Sequence, residues 1–380
     1  MSHIYSDATA REYAARRPPL SIVTFMILPD ITLACIMALR PPFAIRLGVS
    51  LLLIFAAIYA TATYTLGAPV SDYSMGSVGF ANTVLNITLF TWLADPIKDF
   101  RYIKEPAPLT AKPFIKRLWY SICIIQNRRL VGTNVQVANV PPLSSGSRWR
   151  YLRRRVRQLL VGMAILDVVE SWIHTHRDLY MPATAPLHFS AGLRGFLERS
   201  ACMVPCRGDP ECWPDLFGNL SDAYTLRNLW GKVWHQSFRR HFCYLGKAVV
   251  RVLHIPRGTW LSSQVQIHVA FLLSAFLHCM GDLMIGKEHL GRSLSFFIVN
   301  GMAITFEDTV IALAKRAGYA SAQAQAGRPS YALRMLGYAW VLLWCMWSGP
   351  IYKDWLLESG VHLGNFLPYS PVRSWILPTA

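Results

Sequence analysis

Several apolar runs of close to 20 residues constrain the fold of this chain more than any other feature. A spanning helix needs about 20 mostly apolar residues, because the hydrocarbon core of a bilayer is about 30 Å thick. The runs that meet or approach this length are Leu20–Leu39, Leu47–Leu66, Ser77–Ala94, Trp260–Ile285, Leu294–Ala314 and Ser330–Trp347. The sequence therefore predicts an all-α, polytopic transmembrane helix bundle of about six to eight spans.

The amounts and positions of charge agree with a membrane protein. Only 16% of the residues are charged, against about 25% in soluble domains. The 38 Lys+Arg and 21 Asp+Glu give a formal net charge of +17, and most basic residues lie between the apolar runs. That distribution is typical of cytosolic loops. We therefore expect the lipid bilayer and an anionic cofactor as partners, and no nucleic acid.

Two further segments have the pattern of amphipathic helices at the membrane interface. Phe114–Ile125 is too short to span, and Ser221–Leu245 repeats apolar residues at steps of three and four. From these patterns we expect N-terminal membrane helices and a loop over 1–113. A core with an interfacial helix and the reactive spans follows over 114–350, and a polar tail over 351–380.

Ionisable residues within the run at 260–285 indicate a reactive site. Such residues are costly in hydrocarbon, so the default interpretation is a function. Apolar neighbours favour the neutral imidazole of His278, which is then able to accept a proton. Asp282 follows four residues later on the same helical face, where it could fix the tautomer of the ring. The alternative is a structural histidine bonded to a neighbouring helix.

The segment at 228–236 is the second candidate. On a continuous helix Asn228 and His235, seven residues apart, share nearly one angular position, and Gly231 between them bares the backbone for a substrate. Trp230 and Trp234 form an aromatic ridge beside that face. The alternative is an interfacial helix that these side chains only anchor.

Both segments resemble the wax synthase-like branch of the membrane-bound O-acyltransferase family, whose fungal members include acetyltransferases of terpenoid and meroterpenoid pathways. Residues 213–236, from Trp-Pro-Asp to Trp-Gly-Lys-Val-Trp-His-Gln, resemble the family's Trp-Pro…Phe-Trp-Gly-x-x-Trp-His-Gln block, with Leu229 in place of the phenylalanine. Residues 126–141 resemble a loop that precedes it. His278 stands where the family places its intramembrane histidine, and Glu307-Asp308 resembles an acidic pair in the next helix.

The resemblance implies an acyl-CoA-dependent O-acyltransferase. We expect it to transfer acetyl from acetyl-CoA to a hydroxyl of a hydrophobic secondary metabolite, a terpenoid or meroterpenoid. His278 is then the expected general base, with Asp282 as its orienting carboxylate. His235 or Asn228 is expected to donate to the acyl carbonyl oxygen.

The remaining expectations concern the donor, the compartment and competing functions. We expect no metal, and an integral membrane protein of the endoplasmic reticulum. One alternative is a long-chain wax or sterol ester synthase, and another is a polytopic transporter with an intramembrane His/Asp relay. The residues expected to contact the acyl-CoA are Trp230, Trp234, Arg239 and Arg240.

Overall fold

The computed structural model describes residues 12–103, 109–138, 148–175, 217–318, 330–361 and 370–376. Within these residues the chain is helical, with two isolated bridges in place of a sheet, so the predicted all-α fold is confirmed. The helices are α1 Val23–Leu39, α2 Phe43–Thr63, α3 (69–93), α4 Pro96–Asp99, α5 Phe114–Gln126, α6 Arg148–Thr175, α7 (226–233), α8 Arg239–Val252, α9 Trp260–Ile285, α10 Leu294–Arg316, α11 Tyr331–Glu358 and α12 Pro371–Ile376, with 3₁₀ turns at Leu109–Ala111, Leu220–Asp222 and Lys287–His289.

The chain divides into two compact units. The first unit comprises residues 1–138 and 236–310, and therefore contains α1 to α5, α8, α9 and most of α10. The second unit comprises residues 139–235 and 311–380, with α6, α7, α11, α12 and the end of α10.

Helices long and apolar enough to cross a membrane are present in the described part of the chain. There are three, namely α2, α9 and the segment Lys287–Arg316 that contains α10. On α2, Leu52 and Phe55 are each 69% exposed, which is the arrangement expected of side chains that contact lipid. The larger number of spans inferred from the sequence stays a prediction.

The first unit is built around apolar contacts between α1, α3, α5 and α9. Leu33, Phe90 and Ile124 are buried in one cluster, and Phe80 and Leu277 in another. These side chains come from the apolar runs of the sequence, and their close packing stabilises the helix contacts through van der Waals attraction.

Glycines allow the first half of α3 to cross α9 at close range. A Cβ built on Gly76 would lie 2.5 Å from the carbonyl oxygen of Met280, and one on Gly281 would lie 2.9 Å from the ring of Tyr73. Small residues at such crossings let two backbones approach closely inside a membrane. This crossing brings Tyr73 beside α9.

Prolines lie within two of the helices without ending them. In α1, a π-helical turn at Val23–Ile27 runs directly into the α-helix Leu28–Leu39, and Pro29 occupies the first turn of that α-helix. The run predicted to end at Trp347 continues through Pro350 to Glu358. Trp355, which is 4% exposed, extends its buried face beyond the proline.

Candidate active site

His278 lies near the C-terminal end of α9, in the first unit, and is half-buried. Its ring stacks on Phe297 of α10, with centroids 4.7 Å apart and planes 23° apart. Its Nδ1 lies 2.8 Å from the hydroxyl oxygen of Tyr73 on α3. Three helices therefore fix the position and the rotation of the imidazole.

Asp282 is fully buried one turn after His278. Its Oδ1 accepts from the Ser293 hydroxyl at 2.6 Å, and its Oδ2 accepts from the Ser293 amide at 2.9 Å. The hydroxyl oxygen of Tyr73 lies 3.4 Å from Ser293 Oγ. The structure thus brings Asp282, Ser293, Tyr73 and His278 into one connected group.

Tyr73 and Ser293 were not found from the sequence. Tyr73 is 205 residues from His278 along the chain, and neither residue belongs to a recognisable motif. Their types also carry little information, since most buried tyrosines and serines only satisfy local hydrogen bonds. To find Tyr73, one would have to know that α3 contacts α9, and the sequence alone does not show this contact.

Asp72, the residue before Tyr73, fixes the start of α3 against the end of α9. Its buried carboxylate pairs with Arg17 at 3.3 Å, and Arg17 also donates to the carbonyl oxygen of Met284 in the last turn of α9. Three further donors satisfy this carboxylate, namely the hydroxyl of Tyr13 at 2.7 Å, the hydroxyl of Thr65 at 2.5 Å and the amide of Leu66 at 2.5 Å.

A second polar cluster joins α9 to α10 within the first unit. The Gln264 amide donates to Asp308 Oδ2 at 2.7 Å, and Thr305 Oγ1 donates to Gln264 Oε1 at 2.9 Å. His268 Nε2 lies 2.9 Å from the same Thr305 oxygen. Glu307, only 6% exposed, completes the acidic pair noted in the sequence. These hydrogen bonds join two apolar helices, as is typical of polar side chains inside membranes.

The segment at 226–236 lies in the second unit and departs from its predicted conformation. The helix begins at Leu226, where Thr225 Oγ1 caps the amide of Asn228 at 3.0 Å. It ends at Val233 as a π-helical turn, and Trp234 is extended with φ −64° and ψ 156°. The prediction that Asn228 and His235 share one helical face is therefore wrong.

A tertiary hydrogen bond explains this early helix end. The amide of Gly218 donates to the carbonyl oxygen of Val233 at 2.8 Å, which occupies an acceptor that a further helical turn would use. The backbone of Gly218 lies so close to the end of α7 that a Cβ on Gly218 would collide with the carbonyl oxygen of Lys232. The continuous helix predicted over 221–245 is accordingly split into α7 and α8.

The aromatic ridge predicted for this segment is present. The rings of Trp230 and Trp234 are 5.4 Å apart, and the ring of His235 is 5.5 Å from that of Trp234. Phe217 adds a further ring 5.4 Å from Trp234. Apart from its chain neighbours and the backbone of its own helix, no described atom comes within 4 Å of a Cβ built on Gly231. The predicted aromatic ridge is thus formed beside this glycine in the second unit.

Arg239 and Arg240, the arginines predicted to contact a cofactor, open α8 in the first unit. Arg239 Nη1 donates to Gln236 Oε1 at 2.6 Å, and Arg240 Nη2 donates to the carbonyl oxygen of Gln136 at 2.6 Å. The Arg240 guanidinium lies 5.8 Å from the centroid of the Tyr244 ring. Burial lowers the pKa of Arg240. Through its hydrogen bond to Gln136, Arg240 anchors the loop that follows α5.

Comparison with known proteins identifies the family. Residues 213–299, which include His235 and His278, match the model of the membrane bound O-acyl transferase family. The chain is 34% identical to acetyltransferase pyr8 of Aspergillus fumigatus over 297 residues, 68% of this chain and 66% of pyr8. It is 27% identical to acetyltransferase ple2 of Rhodocybe pseudopiperita over 363 residues, 89% of this chain and 90% of ple2.

A third relative agrees with these two. Acetyltransferase eriL of Hericium erinaceus is 27% identical over 294 residues, 71% of this chain and 74% of eriL. No solved structure matches the chain significantly. Together with the apolar helices and the motif around His235, these matches show that the chain belongs to the membrane-bound O-acyltransferase family of enzymes.

Proposed function

We propose that this enzyme transfers acetyl from acetyl-CoA to a hydroxyl of a hydrophobic small molecule in the endoplasmic reticulum membrane. The acetyl donor follows the names of the three relatives, and a terpenoid or meroterpenoid acceptor follows the sequence resemblance. The observation that carries the proposal is the setting of His278, a half-buried imidazole in an apolar helix, stacked on Phe297 and bonded to Tyr73.

His278 is proposed to act as the general base. As the alcohol oxygen attacks the thioester carbonyl carbon, His278 takes the hydroxyl proton, and a tetrahedral oxyanion forms. The carbon–sulfur bond then breaks, and the proton passes to the departing thiolate of coenzyme A. The products are the ester and free coenzyme A. A positioned base of this kind contributes about 10² to 10⁴ in rate.

Apolar surroundings favour this reaction over hydrolysis. Phe297 and the other apolar side chains around His278 disfavour water, which would compete with the alcohol for the thioester. A lipophilic alcohol dissolves in the bilayer and so reaches a membrane helix at high local concentration. The apolar character of α9 therefore supports an oily acceptor.

Residues of the second unit have proposed roles that rest on the family motif. His235 or Asn228 is proposed to donate a hydrogen bond to the acyl oxygen, a contact whose loss typically costs about 3 kcal/mol of transition-state stabilisation. Replacement of His235 with Ala is then expected to lower kcat. A change confined to KM for the alcohol would remove this role.

Contacts with the donor are proposed for two pairs of side chains. Trp230 and Trp234 would pack on the acyl chain or the acceptor, because their rings form an apolar ridge. Arg239 and Arg240 would pair with phosphates of coenzyme A, for which guanidinium groups are suited. Charge-removing substitutions of these arginines are expected to raise KM for acetyl-CoA.

Mass spectrometry of microsomes tests the proposed reaction. Microsomes containing the protein, and matched microsomes without it, receive acetyl-CoA and a panel of terpenoid alcohols. We expect a gain of one acetyl unit on at least one alcohol only where the protein is present. Parallel incubations with long-chain acyl-CoA cover the competing donor. Esters formed only from the long-chain donor would contradict an acetyltransferase.

A further inference from the structure

We propose that Tyr73 and Ser293 are positioning residues that connect the Asp282 carboxylate to His278 and select the tautomer in which the ring acts as a base. This inference rests on the proposed role of His278 as general base. It assigns a function to Tyr73, which lies outside the residues that match the family model, and to Ser293, which belongs to neither sequence motif. It also gives Asp282 an indirect route to the ring.

The buried carboxylate fixes the direction of the first hydrogen bond in the chain. An ionised carboxylate only accepts, so the Ser293 hydroxyl, at 2.6 Å, donates its proton to Asp282 Oδ1. Ser293 Oγ is then an acceptor for the Tyr73 hydroxyl at 3.4 Å. The proposed chain places the Tyr73 proton on the Ser293 side, so that the Tyr73 oxygen accepts from Nδ1–H of His278 at 2.8 Å.

This direction determines what His278 does. A proton held on Nδ1 leaves Nε2 as the basic nitrogen of the neutral ring. The alcohol proton therefore goes to Nε2 and later to the thiolate sulfur, while the Nδ1 proton remains in place throughout. As the imidazolium forms, the chain of hydroxyls links its positive charge to the buried negative charge of Asp282, which stabilises the transition state.

Packing holds the chain of hydrogen bonds in register. Phe297 stacks on one face of the imidazole, which limits rotation of the ring. Tyr73 is 9% exposed and lies against Gly281, and Ser293 and Asp282 are fully buried. Water therefore has little access to these hydroxyls and competes little for their hydrogen bonds.

Single substitutions give the first test. Tyr73→Phe removes one hydroxyl and preserves the ring. We expect kcat to fall about 10- to 100-fold with KM for acetyl-CoA unchanged, as for loss of a hydrogen bond to a group that becomes charged. Tyr120→Phe, at a tyrosine that is 5% exposed in the same unit, is the matched control and should retain wild-type kcat.

A double-mutant cycle gives the second test, because a purely structural role does not predict its outcome. Asp282→Asn supplies an amide that donates to Ser293 and so reverses the chain. If Tyr73 and Asp282 act through one chain, the double variant loses no more kcat than the worse single variant. Ser293→Ala replaces Asp282→Asn in the cycle if the latter does not fold.

His278→Ala separates the two proposals. Retained turnover in His278→Ala would overturn the proposed function itself. An inactive His278→Ala variant together with wild-type kcat in Tyr73→Phe would overturn only the inference about Tyr73 and Ser293. Losses that multiply in the double variant would overturn it as well, because independent sites give multiplicative effects.

Discussion

Asp72 is the clearest case in which one residue decides local stability. Its carboxylate side chain is fully buried, and its Arg17 partner is 19% exposed. Taking both charges out of water is costly, but removal of one partner leaves the other uncompensated, which costs more. The pair therefore specifies how α3 begins, and the position of Tyr73 depends on it.

Removal of Arg17 is predicted to destabilise the protein strongly. Arg17→Ala leaves Asp72 buried without its cation, and we expect a loss of about 3 kcal/mol or more. Arg40→Ala is the matched control, because the Arg40–Asp95 pair has side chains 38% and 26% exposed and such pairs contribute about 0 to 1 kcal/mol. Thermal unfolding in detergent compares the two, and equal losses would contradict this account.

His241 is a buried histidine with a different role from His278. It is 2% exposed on α8, and its Nε2 lies 3.0 Å from Asn86 Oδ1. Burial, and then the charges of Arg128 and Arg240, lower its pKa to about 3. The folded protein therefore keeps His241 neutral across the physiological range.

This pKa predicts a loss of stability in mild acid. Unfolded histidine titrates near pH 6.5, so between about pH 6.5 and 3 only the unfolded state binds the proton, and stability falls as pH falls. From pH 7.5 to 5.5 the loss from this group is about 1.4 kcal/mol. His241→Gln should remove that part of the pH dependence, measured by thermal unfolding. His254→Asn, at an exposed position, is the control and should leave the pH dependence of stability unchanged. A pH dependence that is the same in wild type and His241→Gln would refute the role of His241.

At the scale of helices, the crossing of α3 and α9 decides whether the site forms. The crossing depends on Gly76 and Gly281, whose absent side chains make room for Met280 and Tyr73. Tyr73 meets His278 only because the two backbones are this close. The hydrogen bond between them is therefore a property of the helix pair and not of either segment alone.

Substitution of Gly281 is predicted to affect both stability and catalysis. In Gly281→Ala the new Cβ lies 2.9 Å from the Tyr73 ring, so the helices must separate, at about 1 to 3 kcal/mol. Turnover should fall because Tyr73 moves away from His278. Gly48→Ala on α2 has no described atom within 4 Å of its Cβ and should gain up to about 1 kcal/mol from helix propensity. Identical behaviour of the two variants in unfolding and turnover assays would rule out this explanation.

The sequence predicted those elements whose signals are local. The limits of α9, Trp260–Ile285, follow from one apolar run, and His278 was notable because of its apolar neighbours. The end of α7 at Val233 was not predictable, because a hydrogen bond from Gly218 causes it. Tyr73 was missed for the same reason, since contacts between distant segments leave no periodic pattern in the sequence.

For the whole molecule, α9 combines the two surfaces that a membrane enzyme requires. Leu272 and Phe276 are 53% and 44% exposed, whereas Gln264 and Asp282 on the same helix are buried. Apolar side chains thus cover the exterior, and polar ones are paired inside, which is the distribution expected where polar groups in a membrane serve a function. His278, which is half-buried, lies on this helix between the exposed apolar face and the buried polar side chains.

The most direct measurement of the central claim is the turnover of the His278→Ala variant. Wild-type and variant enzyme, purified in detergent and matched for thermal unfolding temperature, receive acetyl-CoA and an accepted alcohol, and ester is quantified by mass spectrometry. We expect kcat to fall about 10²- to 10⁴-fold with the variant still folded. Ester formation at the wild-type rate would show that His278 is not the general base.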